Sequence, residues 1–254
     1  MPKLDRDGVK IHYEIHGSGP TLLLSHGYSS TARMWDGQVA ALKDRYQVIV
    51  WDMRGHGESD YPTDQSQYSE ALTVGDMAAL LDLVGAKKAI IAGLSLGGYM
   101  SLAFHATHPE RVAALMLFDT GPGYKKDEAR AKWNETAHRR AADLEARGLA
   151  ALNSSDEVKL TRHRGADGLA RAARGMLAQQ NDRVIRSLDK IAVPTLVLVG
   201  ANDTAFLAAT DYMSAKIKGA TKAVVPEAGH AANLHQPVLF NQAVEDFLAR
   251  LPTA

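Results

Sequence analysis

The sequence predicts an α/β protein built on a mostly parallel, doubly wound sheet, opened by an antiparallel hairpin and interrupted by a helical insertion. Three observations predict it. Continuous apolar runs such as TLLLS at 21–25 and KAIIAG at 88–93 suit strands covered on both faces. These runs alternate with stretches of helical pattern over short links, which implies crossover connections. One long segment, residues 122–190, breaks the rhythm and holds no convincing strand.

The elements follow in order. Asp7-Gly8 is a turn signal, and Val9, Ile11, Tyr13 and Ile15 after it alternate at period two, as one arm of a hairpin would. Strands are expected at Thr21–Ser25, Tyr46–Trp51, Ala89–Gly93, Val112–Phe118, Val193–Val199 and Ala223–Val225. Helices are expected near Val39–Leu42, Thr73–Val84, Leu96–Thr107, Thr210–Lys218 and Pro237–Leu251. Sixty-odd residues are too many for a bare loop in a compact domain, so 122–190 reads as a helical cap. The core is then 1–121 together with 191–254. The cap carries 15 of the 29 basic and 10 of the 29 acidic residues. That excess suits a solvated helical face, or a mild preference for acidic substrates.

Composition narrows the function. With 46% hydrophobic residues in 254, the chain can bury a sizeable core unaided. The absence of cysteine excludes a disulfide framework, a thiolate metal site and a cysteine nucleophile. Twenty-nine basic against 29 acidic residues give no basic footprint, so a dedicated nucleic-acid binder is not expected. No apolar run approaches the length of a membrane span, and the N-terminus lacks the apolar stretch of a signal peptide. The expected location is cytoplasmic.

Chemistry enters at Gly93-Leu94-Ser95-Leu96-Gly97, a G-x-S-x-G between an expected strand and an expected helix. So tight a turn forces the serine into a strained backbone region, and the flanking glycines remove Cβ atoms that would clash. The hydroxyl would stand beside the N–H groups of a helix start, a natural anion site. A serine nucleophile needs a base, and the base needs an orienting group. Asp203 follows the expected 193–199 strand and His230 follows the last strand, so both emerge at the same sheet edge as Ser95. Asp119 competes with Asp203 for the acid, and His235 with His230 for the base. Arg54, in DMRGHG, reads as a residue that ties loops together. The histidines show no H-E-x-x-H pattern, and neither a Walker loop nor a dinucleotide turn is present, so no metal or cofactor is expected.

In LLLSHGYSS (22–30), DMRGHGESD (52–60), GLSLGGYMSLAFHATHPERV (93–112), PTLVLVGANDT (194–204) and EAGHAANLHQP (227–237) the chain resembles the α/β-hydrolase superfamily. Within it the resemblance is nearest to small bacterial carboxylesterases and 3-oxoadipate enol-lactonase-like hydrolases. It implies Ser95 as nucleophile, Asp203 as acid, His230 as base, and the backbone N–H groups of Tyr28 and Leu96 as oxyanion hole. Trp35, Trp133 and Phe206 are candidate substrate contacts. The expected function is cleavage of carboxylic esters, lactones included, through an acyl-enzyme and without cofactor, on a small-molecule ester. A cofactor-free perhydrolase or haloperoxidase on the same triad, or a small-molecule receptor on this scaffold, are the alternatives.

Overall fold

The computed structural model describes residues 2–251. Eight strands form one sheet: β1 (Lys3–Arg6), β2 (Val9–His16), β3 (Thr21–Ser25), β4 (Gln47–Trp51), β5 (Ala89–Leu94), β6 (Val112–Phe118), β7 (Thr195–Gly200) and β8 (Thr221–Val225). Their order is β1-β2-β4-β3-β5-β6-β7-β8. The hairpin β1–β2 and the β2–β4 pair are antiparallel; every pair from β4 through β3 to β8 is parallel. The expected mostly parallel sheet with an N-terminal antiparallel hairpin is what forms.

Ten α-helices accompany the sheet among the described residues: α1 (Asp36–Leu42), α2 (Glu70–Leu83), α3 (Leu96–Thr107), α4 (Asp127–Arg147), α5 (Asp156–Lys159), α6 (Ala166–Ala172), α7 (Arg183–Arg186), α8 (Leu207–Lys216), α9 (Ala232–His235) and α10 (Pro237–Leu248). Because side chains alternate along a strand, each strand feeds two cores. Leu23, Ile49, Ile91, Leu115 and Val197 face α2, α3 and α8. Leu22, Leu24, Val48, Val50, Ile90, Met116 and Leu198 face α1 and α10. None of these helices is long and apolar enough to cross a membrane.

Differences from the expected boundaries have local causes. Helix α2 starts three residues earlier than its periodicity suggests because Ser69 caps it, accepting from Leu72 N–H at 3.1 Å. Strand β8 starts at Thr221, two residues early; as an edge strand with exposed alternate positions it lacks the apolar run that marks a central strand. Residues 122–190 run between β6 and β7 without a strand. They hold the 21-residue α4, then short helices and a π-turn at Ala173–Leu177. Ala137, Ala141, Leu144, Leu169 and Met176 of this segment join the same buried cluster as Leu96, Tyr99 and Met100 of α3. The insertion therefore shares the core of the sheet's α3 face.

Candidate active site

Parallel strands bring their carboxyl ends to one edge, and six loops with polar side chains leave from there. Ser95 follows β5 at φ 54° and ψ −115°, a sparsely populated region for a residue with a Cβ. Its neighbours make the turn possible. A Cβ at Gly93 would lie 2.3 Å from the Gly97 carbonyl carbon, and one at Gly97 would lie 2.1 Å from the Ser25 oxygen. The strained residue is clamped on both sides: its N–H donates to Phe118 O at 2.9 Å, and its carbonyl accepts from Tyr99 N–H at 3.0 Å and from the Thr120 hydroxyl at 2.6 Å. The Ser95 Oγ itself bonds to no other described residue and lines a cavity.

Asp203 lies three residues past β7, its N–H turned back onto Gly200 O at 3.0 Å. Its buried carboxylate accepts from His230 Nδ1 at 2.8 Å, although 27 positions separate the two. That bond makes Nδ1 the protonated nitrogen and leaves Nε2 as the acceptor. Phe206 stacks on the imidazole at 5.1 Å between ring centroids. Burial alone would pull the His230 pKa down, but the Asp203 hydrogen bond and charge, helped by Asp119 and Glu157, raise it above the ordinary value. No hydrogen bond joins His230 to Ser95 among the described residues.

The two competing residues take other places. Asp119, at the end of β6 with φ 45°, is fully buried. Its carboxyl accepts from Gly200 N–H at 2.8 Å and from Ala232 N–H at 3.4 Å. Burial pushes it up to about 8. It thus ties the loop that carries Asp203 to the one that carries His230. His235 Nδ1 accepts from Gly229 N–H at 2.9 Å, bracing the turn before His230, and its ring does not bond Asp203.

The backbone N–H groups of Tyr28 and of Leu96, which follows Ser95, have no acceptor among the described residues. Leu96 is the first residue of α3, where an N–H is orphaned by helix geometry. The Tyr28 loop is held by three buried or half-buried histidines. His26 donates from Nδ1 to Gly27 O at 2.7 Å and accepts from Met53 N–H at 2.9 Å. His56 donates to Arg54 O at 3.1 Å and accepts from Ser29 N–H at 3.3 Å. His163, from the insertion, donates to Ser29 O at 3.0 Å and accepts from Gly57 N–H at 3.2 Å. Each ring gives one proton and takes one, so each is neutral; burial holds all three below the ordinary histidine value.

The cavity at Ser95 measures about 90 Å³ and is walled by Leu96, Tyr99, Trp133, Leu177, Gln179 and Phe206 among others. Two candidate contacts, Trp133 and Phe206, therefore line it. Trp35 does not. Its ring is 0% exposed in the core on the other face of the sheet, 6.0 Å from Phe118, because the turn at Ala32–Trp35 leads directly into α1. Arg54 is a tie between loops: it meets Asp76 through Nε at 2.7 Å and Nη2 at 2.9 Å, and Gln67 Oε1 at 2.8 Å. Sequence reasoning passed over Tyr99, Thr120 and Gln179. The Asp-Thr-Gly-Pro run after β6 was a signal for Thr120; Gln179 follows an irregular turn and carried none.

A family model for the alpha/beta hydrolase fold matches residues 20–167, and the chain belongs to that family. Over 96% of its length the chain is 30% identical to a Bacillus subtilis protein that carries the name 2-succinyl-6-hydroxy-2,4-cyclohexadiene-1-carboxylate synthase, of which it covers 97%. It is also 30% identical to 3-oxoadipate enol-lactonase 2 of Acinetobacter baylyi, over 97% of this chain and 96% of that one. Among solved structures, a thermophilic esterase from Thermogutta terrifontis superposes with a TM-score of 0.84 at 28% identity over the whole of both chains.

Proposed function

We propose that the protein hydrolyses carboxylic esters, lactones included, through an acyl-enzyme on Ser95, with His230 as base and Asp203 as its orienting acid. The observation that carries this is the 2.8 Å bond from His230 Nδ1 to Asp203, set at the sheet edge where Ser95 stands in its strained turn. The esterase and enol-lactonase relatives support the reaction class.

The chemistry follows from those groups. As Ser95 Oγ forms a bond to the carbonyl carbon, its proton passes to His230 Nε2. The carbonyl oxygen gains charge against the Tyr28 and Leu96 N–H groups, which need not break other bonds to meet it. Asp203 stabilises the imidazolium. His230 then gives its proton to the leaving oxygen, and the C–O bond to the alcohol breaks. Water, deprotonated by His230, attacks the acyl-enzyme and releases the acid, which restores Ser95. The serine–histidine hydrogen bond forms when substrate arrives; such bonds are often loose without it.

Ser95→Ala tests the assignment. On a short-chain aryl ester the variant should lose turnover by at least about 10,000-fold while its thermal melt stays close to the parent's. Turnover retained within tenfold would refute it.

A further inference from the structure

The cavity beside Ser95 says more than that an ester is cut there. No charged side chain lines it. A carboxylate carried into it would lose its hydration and find no counter-ion, a cost far above that of an apolar group. The basic excess of the insertion does not change this, because none of its basic side chains lines the cavity and six of its arginines are paired with carboxylates elsewhere. Arg174 pairs with Glu145, Arg183 with Glu70, Arg186 with Asp182.

The polar groups of the wall are mostly committed as well. The Thr120 hydroxyl gives its proton to Ser95 O. The Tyr99 hydroxyl gives its own to Glu70 Oε2 at 2.7 Å, and the Trp133 indole N–H donates to Leu177 O at 2.8 Å. Two groups remain: the hydroxyl of Tyr124, a residue 38% exposed, and the side-chain amide of the buried Gln179. Gln179 is the one whose side chain is pinned. Its backbone is fixed by Asn134, which accepts from Gln179 N–H and donates to Gln179 O, both at 2.8 Å. Its side-chain Oε1 accepts from Tyr124 N–H at 3.2 Å. A backbone N–H can only meet an acceptor, so this contact fixes which end of the amide is oxygen. Gly123, at φ 87°, leaves room for it; a Cβ there would lie 2.7 Å from Gln179 Oε1. The Nε2 group bonds to nothing among the described residues, and it is not among the sealed polar atoms. A long side chain has been pinned, at an entropic cost, with its donor left over.

The proton path decides which half of an ester enters. The leaving oxygen must receive a proton from His230, so the alcohol lies toward the imidazole. His230 does not line this cavity; Phe206, stacked on it, does. With Ser95 in its wall and His230 outside it, the cavity is assigned to the acyl half. At about 90 Å³ it is smaller than the roughly 150 Å³ space that accepts benzene, a size that suits a chain of about two to four carbons.

We propose that this cavity is an acyl site for a short, uncharged chain bearing a hydrogen-bond acceptor, recognised by the Gln179 Nε2 amide. The proposal rests on the ester-hydrolase reading above. It makes Gln179 a specificity-determining residue and excludes acyl chains that end in a carboxylate.

The test is a set of para-nitrophenyl esters, each rate corrected for the ester's reactivity toward hydroxide. Methoxyacetate and butanoate have the same shape and differ by one ether oxygen. Hemisuccinate adds a charge, and octanoate adds length. For the wild-type protein, kcat/KM for methoxyacetate should exceed that for butanoate by about tenfold. Hemisuccinate and octanoate should each fall by at least about 100-fold below methoxyacetate. In Gln179→Met the methoxyacetate preference should drop to about one; in Gln179→Glu, which keeps the bond to Tyr124 but presents an oxygen, it should invert. A wild-type preference near one, or hemisuccinate cut as fast as butanoate, overturns the proposal without any variant. So does a preference unchanged in a folded Gln179→Met. If no ester turns over and Ser95 resists a fluorophosphonate, the hydrolase reading fails and this inference with it.

Discussion

Arg54 and Asp76 make a buried ion pair whose loss can be sized. Arg54 is 2% exposed, its fork is closed on Asp76 by bonds of 2.7 and 2.9 Å, and Asp76 is fully buried at the inner face of α2. Arg54→Met fills much of the same volume but leaves the Asp76 carboxylate with Arg6 alone, at 3.2 Å and from a partly exposed position. Breaking such a pair on one side costs about 3–5 kcal/mol, because a buried charge is left uncompensated. For a chain of this size that is a fall in Tm of roughly 6–10 °C. The double variant Arg54→Met, Asp76→Leu removes both charges, and Arg6 can turn to solvent. It should recover most of the loss, to within about 2 kcal/mol of the parent. Urea unfolding followed by tryptophan fluorescence measures all three proteins, provided m is unchanged. A single-variant loss under about 1 kcal/mol, or a double variant no better than the single, would refute the reasoning.

Two further outcomes concern pH. His230 acts as base only when neutral, and Asp203 holds its pKa above the ordinary 6.5, so the acid limb of kcat/KM should lie above 6.5. Asp203→Asn should move that limb down and cut turnover by about 10,000-fold; a limb that does not move contradicts the pairing. The second concerns His26, His56 and His163, whose pKa values are lowered in the folded chain. Their contribution is therefore present above the unfolded value of 6.5 and is lost as pH falls below it. The urea midpoint should decline from pH 7 to pH 5, more gently in His163→Gln; an equal decline in that variant would show that His163 carries none of it.

Much of the fold was legible because its signals are local. TLLLS and PTLVLVG are continuous apolar runs, and these strands are covered on both faces. The turn at Ser95 was legible because the G-x-S-x-G spacing is local and Gly93 makes room for Gly97 four residues on, although Gly97 in turn makes room for Ser25 and His26 at the end of a neighbouring strand. Residues whose environment is set from afar were not. Trp35 sits beside the loop of Tyr28 in sequence, yet the short turn before α1 carries its ring to the opposite core. The three histidines behind Tyr28 come from positions 26, 56 and 163, and only the folded insertion brings the last of them in. Gln179 gained its place through Asn134 and Tyr124, two contacts that no spacing announces.

The most direct check on the assignment of Ser95 is covalent. A fluorophosphonate offered to the wild-type protein at neutral pH, followed by peptide mass spectrometry, should give one adduct, on Ser95, that disappears in Ser95→Ala. An adduct on a different residue, or an unlabelled Ser95 in a preparation that still cleaves esters, would contradict it.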